Sequence, residues 1–189
     1  MFYTKELILR KMYIMIEVKI ENNNKSVKVP QGTDLQSIAQ KFYKTAPYQV
    51  LGALVNNKLK ELDFRVFEPQ TISYIDITNR NGKRLYVRSL SFVLYKAVKE
   101  LYPEAVLRIE HSVSQGSYCE IENIGQLTQP KINAIKKRMQ NIIDADIPFK
   151  REKILTEEAI KLFNDNGMYD KAMLFKTRKK IYTSVYKLE

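Results

Sequence analysis

Residues 86–103 read Y-V-R-S-L-S-F-V-L-Y-K-A-V-K-E-L-Y-P, and they leave little choice of local structure. Leu90, Val93, Leu94, Ala97, Val98 and Leu101 form one stripe spaced by three and four. Side chains so spaced gather on one side of an α-helix and are buried together. Pro103 has no backbone N–H to donate and stops the helix. Arg88, Phe92, Lys96 and Lys99 fall on another face. Any fold must therefore cover the apolar stripe, and this second, cationic and aromatic face stays available for other work.

The chain before this helix follows a different rhythm. I-M-I-E-V-K-I at 14–20 alternates as a strand does, E-N-N-N-K turns, and residues 26–29 return to complete a hairpin that Pro30 ends. Thr33 or Asp34 caps a helix whose Leu35, Ile38, Ala39 and Phe42 share a face. Residues 51–55 form a strand. Asn56-Asn57 suits a tight turn because asparagine tolerates positive φ, and residues 59–62 return. Residues 71–77 give a last strand, with Ile72, Tyr74 or Ile75, and Ile77 as its apolar contacts. The order β-β-α-β-β-β predicts a small ubiquitin-like grasp over 14–78. Residues 79–85 are polar with a glycine and read as a linker.

After Pro103 the pattern alternates between short strands and helices. Strands are predicted over 106–113 and 117–121, joined around Gln115-Gly116. Thr128 caps a helix with Pro130 in its first turn, and its stripe is Ile132, Ile135, Met139, Ile142 and Ile143. I-P-F-K-R-E-K-I is a strand. Thr156 caps a short helix with Glu157 and Glu158 at the positive end of its dipole, and Asn166-Gly167 ends it. The fold class is thus α+β, a β-grasp domain followed by an α/β domain over 86–189.

Charge and cysteine content narrow the setting. A formal net charge of +11 attracts polyanions without specifying which. The excess is concentrated late, in Lys171, Lys176, Arg178, Lys179, Lys180 and Lys187. Lys136, Lys137 and Arg138 add a second basic group on a helix. Both groups read either as solvated surface or as an RNA footprint. Twelve tyrosines and no tryptophan leave room for stacking surfaces beside half-buried structural rings. The single cysteine, Cys119, excludes an intramolecular disulfide and fits a reducing cytoplasm. No apolar run is long enough for a membrane span, so no membrane partner is expected. The start, M-F-Y-T-K-E-L-I-L-R-K-M-Y, is interrupted by charges and lacks a cleavage site, so residues 1–13 read as a poorly fixed extension.

Two resemblances organise these pieces. V-P-Q-G-T-D-L at 29–35 and A-L-V-N-N-K-L-K-E-L at 53–62 resemble a TGS domain, the module shared by threonyl-tRNA synthetases, some GTPases and the stringent-response nucleotide synthetases. That resemblance implies no catalytic residues. It implies RNA or ligand binding, partner docking, or a spacer role. K-E-L-Y-P at 99–103, Q-G-S-Y-C-E-I at 115–121, I-P-F-K-R-E at 147–152, E-E-A-I-K-L-F and G-M-Y-D-K resemble the editing domain of threonyl-tRNA synthetases. The order of parts matches the amino-terminal half of such a synthetase.

The family's editing signature does not carry over. Its His-x-x-x-His pair falls on Arg88 and Phe92, and its later Cys-x-x-x-His is not found in the chain. An arginine stays protonated and cannot act as a general base. A phenylalanine neither binds metal nor moves protons. If the inherited pocket persists, Arg88, Phe92 and Lys96 suit a phosphate, a carboxylate or a nucleobase, with His111 and Tyr118 as further ligand-binding candidates. The hairpin places His111 and Cys119 opposite each other, either as a nucleophile pair or as a structural one. Two such ligands do not make a zinc site, so no metal is assigned. Glu110 and Glu120 alternate onto the other face.

A second family carries a similar front half. Some bacterial uridine kinases place a TGS domain and a degenerate threonyl-synthetase-like domain ahead of a P-loop kinase domain, and the run T-R-K-K-I-Y-T-S-V-Y resembles theirs. This chain has no G-x-x-x-x-G-K-[ST]. Its end at Leu188-Glu189 suggests a piece of a longer protein, with those two residues either a cloning remnant or native. The leading expectation is a non-catalytic regulatory, nucleotide-binding or RNA-binding module attached to a carboxy-terminal kinase domain. That domain would use ATP and Mg, while this chain needs no cofactor itself. The alternatives are the editing region of a threonyl-tRNA synthetase, which removes serine from mischarged tRNA, and a stand-alone RNA-binding adaptor.

Overall fold

The computed structural model describes residues 14–44, 47–114 and 116–188. The extension at 1–13, the turn residue Gln115 and Glu189 lie outside the described residues. The described chain is mixed α+β and divides into two units, Met1–Ser89 and Leu90–Glu189.

The first unit is built on alternation. Strand β1 (Met15–Ile20) buries Ile16, Val18 and Ile20 and exposes the residues between them. A 3-10 turn, Glu21–Asn23, leads into β2 (Lys25–Pro30), with Asn24 taking the left-handed φ of 50° that closes the hairpin. The Asn22 side chain extends the pairing sideways. Its Nδ2 donates to the Tyr74 carbonyl at 2.9 Å, and its Oδ1 accepts the Tyr74 N–H at 2.7 Å. After β3 (Thr33–Asp34) comes helix α1 (Leu35–Phe42), and Asp34 rather than Thr33 is its cap. The Asp34 carboxylate accepts the Ser37 N–H at 2.7 Å and its hydroxyl at 2.9 Å. Thr33 Oγ1 donates instead to the Pro30 carbonyl.

Strands β4 (Gly52–Val55) and β5 (Lys58–Lys60) meet through Asn56 and Asn57, both at positive φ, as the sequence predicts. The return is shorter than expected and ends at Lys60. The short β6 (Arg65–Val66), which the sequence pattern does not reveal, pairs with β3. Strand β7 (Gln70–Ile75) enters between β1 and β4. The sheet order is β2-β1-β7-β4-β5, with β1 and β7 parallel and the other pairs antiparallel. That is the β-grasp arrangement, with Leu35 and Ile38 of α1 packed against Val18, Ile20, Val55 and Ile72. Tyr74 and Ile75 are both buried and alternate across the sheet, so the sequence alternative resolves to both. The Tyr74 hydroxyl donates to the Leu35 carbonyl at 2.9 Å, and burial pushes its pKa above the usual phenol value.

The predicted linker is helix. Helix α2 runs Arg80–Leu101, so residues 80–85 form its opening turns. Gly82 explains both the misreading and the fact. A Cβ there would lie 1.8 Å from the Asp76 carbonyl oxygen, so only glycine lets this helix lie so close to the preceding chain.

In the second unit, Val93, Ala97 and Val98 of α2 are buried as the stripe requires, whereas Leu90 and Leu101 at its ends stay exposed. Strands β8 (Val106–Val113) and β9 (Gly116–Glu122) form one two-stranded ribbon. Helix α3 (Gln129–Asp144) follows. Thr128 holds its N-cap position, but its side chain makes no capping bond. Strand β10 (Phe149–Leu155) pairs antiparallel with β11 (Tyr182–Leu188) as a second ribbon, with helices α4 (Thr156–Asp165) and α5 (Tyr169–Lys176) between them in sequence. Thr156 does not cap α4 either. It is the first helical residue, and its hydroxyl donates to the Lys180 carbonyl at 2.5 Å, while Glu158 accepts the Leu155 N–H at 3.1 Å. Gly167, at φ +68°, ends α4 as expected. The core here is two small clusters. One joins Val93 and Ala97 to Ile142 and Leu188, and the other joins Val98 to Ala105 and Ile135.

Candidate functional site

Helix α2 presents its cationic and aromatic residues to two different depressions. Arg88 belongs to the first unit. It lines a depression of about 510 Å³ with Leu59, Arg80, Asn81, Lys83, Arg84, Leu85 and Val87. Phe92 and Lys96 belong to the second unit. They line a cavity of about 350 Å³ with Tyr95, Lys99, Glu100, Asn166, Lys187 and Leu188. The sequence groups Arg88 with Phe92 and Lys96; in the structure Arg88 lines the first of these depressions, and Phe92 and Lys96 line the second. Arg88 and Phe92 follow one another at i and i+4, yet they line different concavities.

The cavity around Phe92 is assembled by α2, the end of α4 and the end of β11. Phe92 is fixed by the Phe149 ring, 5.7 Å away between centroids at a tilt of 36°. Lys96 reaches Glu100 one turn on, with Nζ 3.1 Å from Oε1. Glu100 is shared, because its Oε2 accepts from Arg138 Nε at 2.6 Å. That bond from Arg138 holds the Glu100 carboxyl below its ordinary range, despite partial burial. Lys187 pairs with Glu152 at 3.0 Å, and Lys99 donates to the Pro103 carbonyl at 3.0 Å. Tyr95 carries the Lys171 ammonium 5.6 Å from its ring centre, and the same ammonium lies 5.8 Å from the Phe163 ring. Desolvation in that setting lowers the Lys171 pKa and raises that of Tyr95.

The lining thus holds three lysines, one carboxylate and two aromatic rings, and it contains no imidazole and no thiol. Such a set attracts an anion and gives a planar ring surfaces to pack on. It offers nothing that normally exchanges a proton near neutral pH.

His111 and Tyr118 line neither cavity. They do meet each other, stacked at 5.6 Å between ring centroids and 26° between planes. The hairpin register explains why His111 is not opposite Cys119: Val113 pairs with Gly116, which sets His111 across from Tyr118, and a β-bulge follows. Ile109 pairs with Cys119 and Ser112 with Ser117, so Glu110 and His111 together oppose Tyr118. The extra residue also breaks the alternation expected of Glu110 and Glu120. The Tyr118 hydroxyl donates to Glu120 Oε1 at 3.0 Å, and that bond raises its pKa. The Cys119 thiol points to the Ser117 carbonyl at 3.6 Å. A Cys–His nucleophile pair is not formed.

The expected RNA-binding residues fall into two groups. Lys136 and Lys137 are exposed on α3, while Arg138 beside them is engaged by Glu100. Lys176 ends α5, and Lys179 and Lys180 are exposed on the segment leading to β11. Arg178 lies 4.0 Å over the Phe175 ring, with Nη1 3.4 Å from Thr183 Oγ1. Sequence reasoning missed Arg80, Lys83 and Arg84, which join Arg88 in the larger depression. Their spacing was visible, but Gly82 hid the helix that makes spacing meaningful. Lys171 reads from the sequence only as part of the late basic group, and its place between Tyr95 and Phe163 comes from the fold.

No cluster of three or more histidine, cysteine or carboxylate side chains suited to a metal ion occurs among the described residues. None of their helices is long and apolar enough to cross a membrane.

Comparison with known proteins adds the evolutionary context. No protein-family model matches the chain. Similar proteins are threonine–tRNA ligases. The enzyme of Clostridium kluyveri is 28% identical over 162 residues, which is 86% of this chain and 25% of the ligase. That of Syntrophomonas wolfei is 26% identical over 153 residues, covering 81% of this chain and 24% of the ligase. That of Desulforamulus reducens is 30% identical over 132 residues, covering 70% and 21% respectively. The chain is threonyl-tRNA-synthetase-like over most of its length. It spans about a quarter of the length of the relatives it matches.

Proposed function

We propose that this chain is a module derived from the editing region of a threonyl-tRNA synthetase that has given up hydrolysis and kept recognition. Its ligand is an anion bearing a planar ring, either a free nucleotide or the terminal nucleotide of an RNA. One observation carries the reading. The cavity holding Phe92 is lined by lysines and aromatic rings, with no imidazole or thiol. The resemblance places the family's paired histidines at Arg88 and Phe92, and neither side chain accepts a proton at neutral pH. The relatives are ligases that act on tRNA by their names, which supports RNA as the source of the ligand.

The β-grasp sheet of the first unit supports a TGS-like reading of residues 14–78, with residues 86–189 as the editing-like domain. In this account the first unit adds affinity for RNA or for a partner. Attachment to a kinase domain using ATP and Mg is the second reading, favoured by the T-R-K-K-I-Y-T-S-V-Y run. The ligase relatives weigh toward the synthetase-derived one.

Calorimetric titration with adenosine 5′-monophosphate and with inorganic phosphate tests the cavity. The nucleotide should bind at least about tenfold more tightly than phosphate, because a stacked base contributes about 1–3 kcal/mol. Phe92→Leu should reduce that preference, and Lys96→Met should weaken both ligands. Equal affinity for both ligands, or nucleotide binding that ignores both substitutions, overturns the assignment.

A further inference from the structure

We propose that the opening turns of α2 form a contact surface for the phosphate backbone of RNA, made by Arg80, Lys83, Arg84 and Arg88. The proposal concerns the first unit and does not rest on the Phe92 cavity. Arg80, Arg84 and Arg88 are four residues apart, so they follow one side of the helix at intervals of about 6 Å along its axis. Lys83 lines the same depression, whose apolar part is Leu59, Leu85 and Val87. All four cations are exposed, and no carboxylate lines the depression.

Helix stability does not account for this placement. The amino-terminal end of a helix is the positive end of its dipole and favours acids. Helix α4 obeys that rule with Glu157 and Glu158, whereas α2 has no acid in its first turn. The nearest preceding acid, Asp76, accepts from the Thr78 N–H at 2.8 Å and from its hydroxyl at 2.6 Å. The four cations therefore repel one another, and Arg80 and Lys83 in the first turn also oppose the dipole; a bound polyanion relieves both penalties. Three of the four are arginines, whose planar fork matches phosphate oxygens. A regular repeat of positive charge along one line fits a ligand that repeats its negative charge regularly, as a nucleic-acid backbone does.

The test uses the full chain and fluorescein-labelled, unfractionated tRNA, titrated at salt concentrations from about 50 to 200 mM. Arg80→Gln/Arg84→Gln/Arg88→Gln should weaken binding by roughly tenfold or more and reduce the slope of log affinity against log salt by about 2 to 3. Lys19→Gln/Lys25→Gln/Lys28→Gln removes the same charge from exposed positions on β1 and β2 of the same unit. It should cost less than about threefold, since those lysines make no backbone contact in this account. Arg80→Lys/Arg84→Lys/Arg88→Lys should retain most of the slope. Equal losses from the two glutamine triples would reduce the effect to bulk charge and overturn the proposal. So would unchanged tRNA binding by the arginine triple. A larger loss for poly-L-glutamate than for tRNA would reassign the surface to an acidic protein segment.

Discussion

The two units solve the burial problem in different ways. In the first, five strands join one sheet, and a single cluster containing Val18, Ile20, Leu35, Ile38 and Ile72 fills the space under α1. In the second, the strands form separate two-stranded ribbons, and two smaller clusters share the work. Large apolar side chains remain outside them, among them Tyr169, Met173 and Ile181 at 66%, 63% and 72% exposure. A two-stranded ribbon is marginal by itself, so the second unit depends on helices α2 and α3 for its order. The lesson concerns where recognition chemistry is placed. The first unit keeps its cations on a helix outside a closed core, while the second builds its cavity from the same side chains that complete its core.

The largest expected effect separates the units outright. Ile20→Ala, at a fully buried position of the sheet, should cost about 2–5 kcal/mol. Urea unfolding followed by tyrosine fluorescence and circular dichroism should show this loss confined to one of two transitions. A single transition shifted as a whole would break the comparison. Next comes Gly82→Ala. The added Cβ must displace the Asp76 carbonyl or the start of α2, so a cost of about 1–3 kcal/mol is expected in the same transition. A neutral result would mean that α2 does not need this close approach.

A smaller effect sharpens the account of the closed core. Tyr74→Phe removes the hydrogen bond to the Leu35 carbonyl and should cost about 0.5–1.5 kcal/mol, read from the same denaturation curves. The smallest effect falls in the second unit. Glu100→Gln disrupts the pairing with Lys96 and Arg138, and these half-exposed interactions should contribute no more than about 1 kcal/mol. The sign of its pH dependence follows from the lowered pKa. The folded carboxyl is more acidic than the unfolded one, so its contribution is present above the ordinary glutamate range and is lost as pH falls through the lowered folded value. The wild-type and Glu100→Gln stabilities should therefore converge in acid. Constant separation down to acid pH would remove Glu100 as a charged link in this cavity.

Much of the first unit was legible because a half-buried sheet writes itself as alternation and the asparagine pair marks its turn. The second unit was legible in its helices, where Ile135 and Ile142 recur at helical spacing. Three features were not legible, each for a physical reason. Gly82 mimics a linker because a helix-weakening residue gives no sign of the backbone it makes room for. The register of β8 on β9, with Val113 across from Gly116, sets His111 against Tyr118 and not Cys119, and a register leaves no mark in composition. Thr156 looks like a cap, yet its hydroxyl is recruited by the distant Lys180 carbonyl. Of the candidate site, Phe92 and Lys96 can be grouped from the sequence as neighbours at i and i+4 on one helix face, whereas Lys187 and Asn166 join that cavity only through the fold.

The central claim is recognition without hydrolysis, and single-turnover deacylation tests it most directly. Seryl-tRNA specific for threonine, with its serine radiolabelled, is mixed with excess chain, and bound tRNA and released serine are followed in the same samples. The account expects tRNA to be bound while serine is released no faster than in buffer. Release well above that background, lost in a Phe92→Ala or Lys96→Met variant, would contradict it and make the cavity a working hydrolytic site.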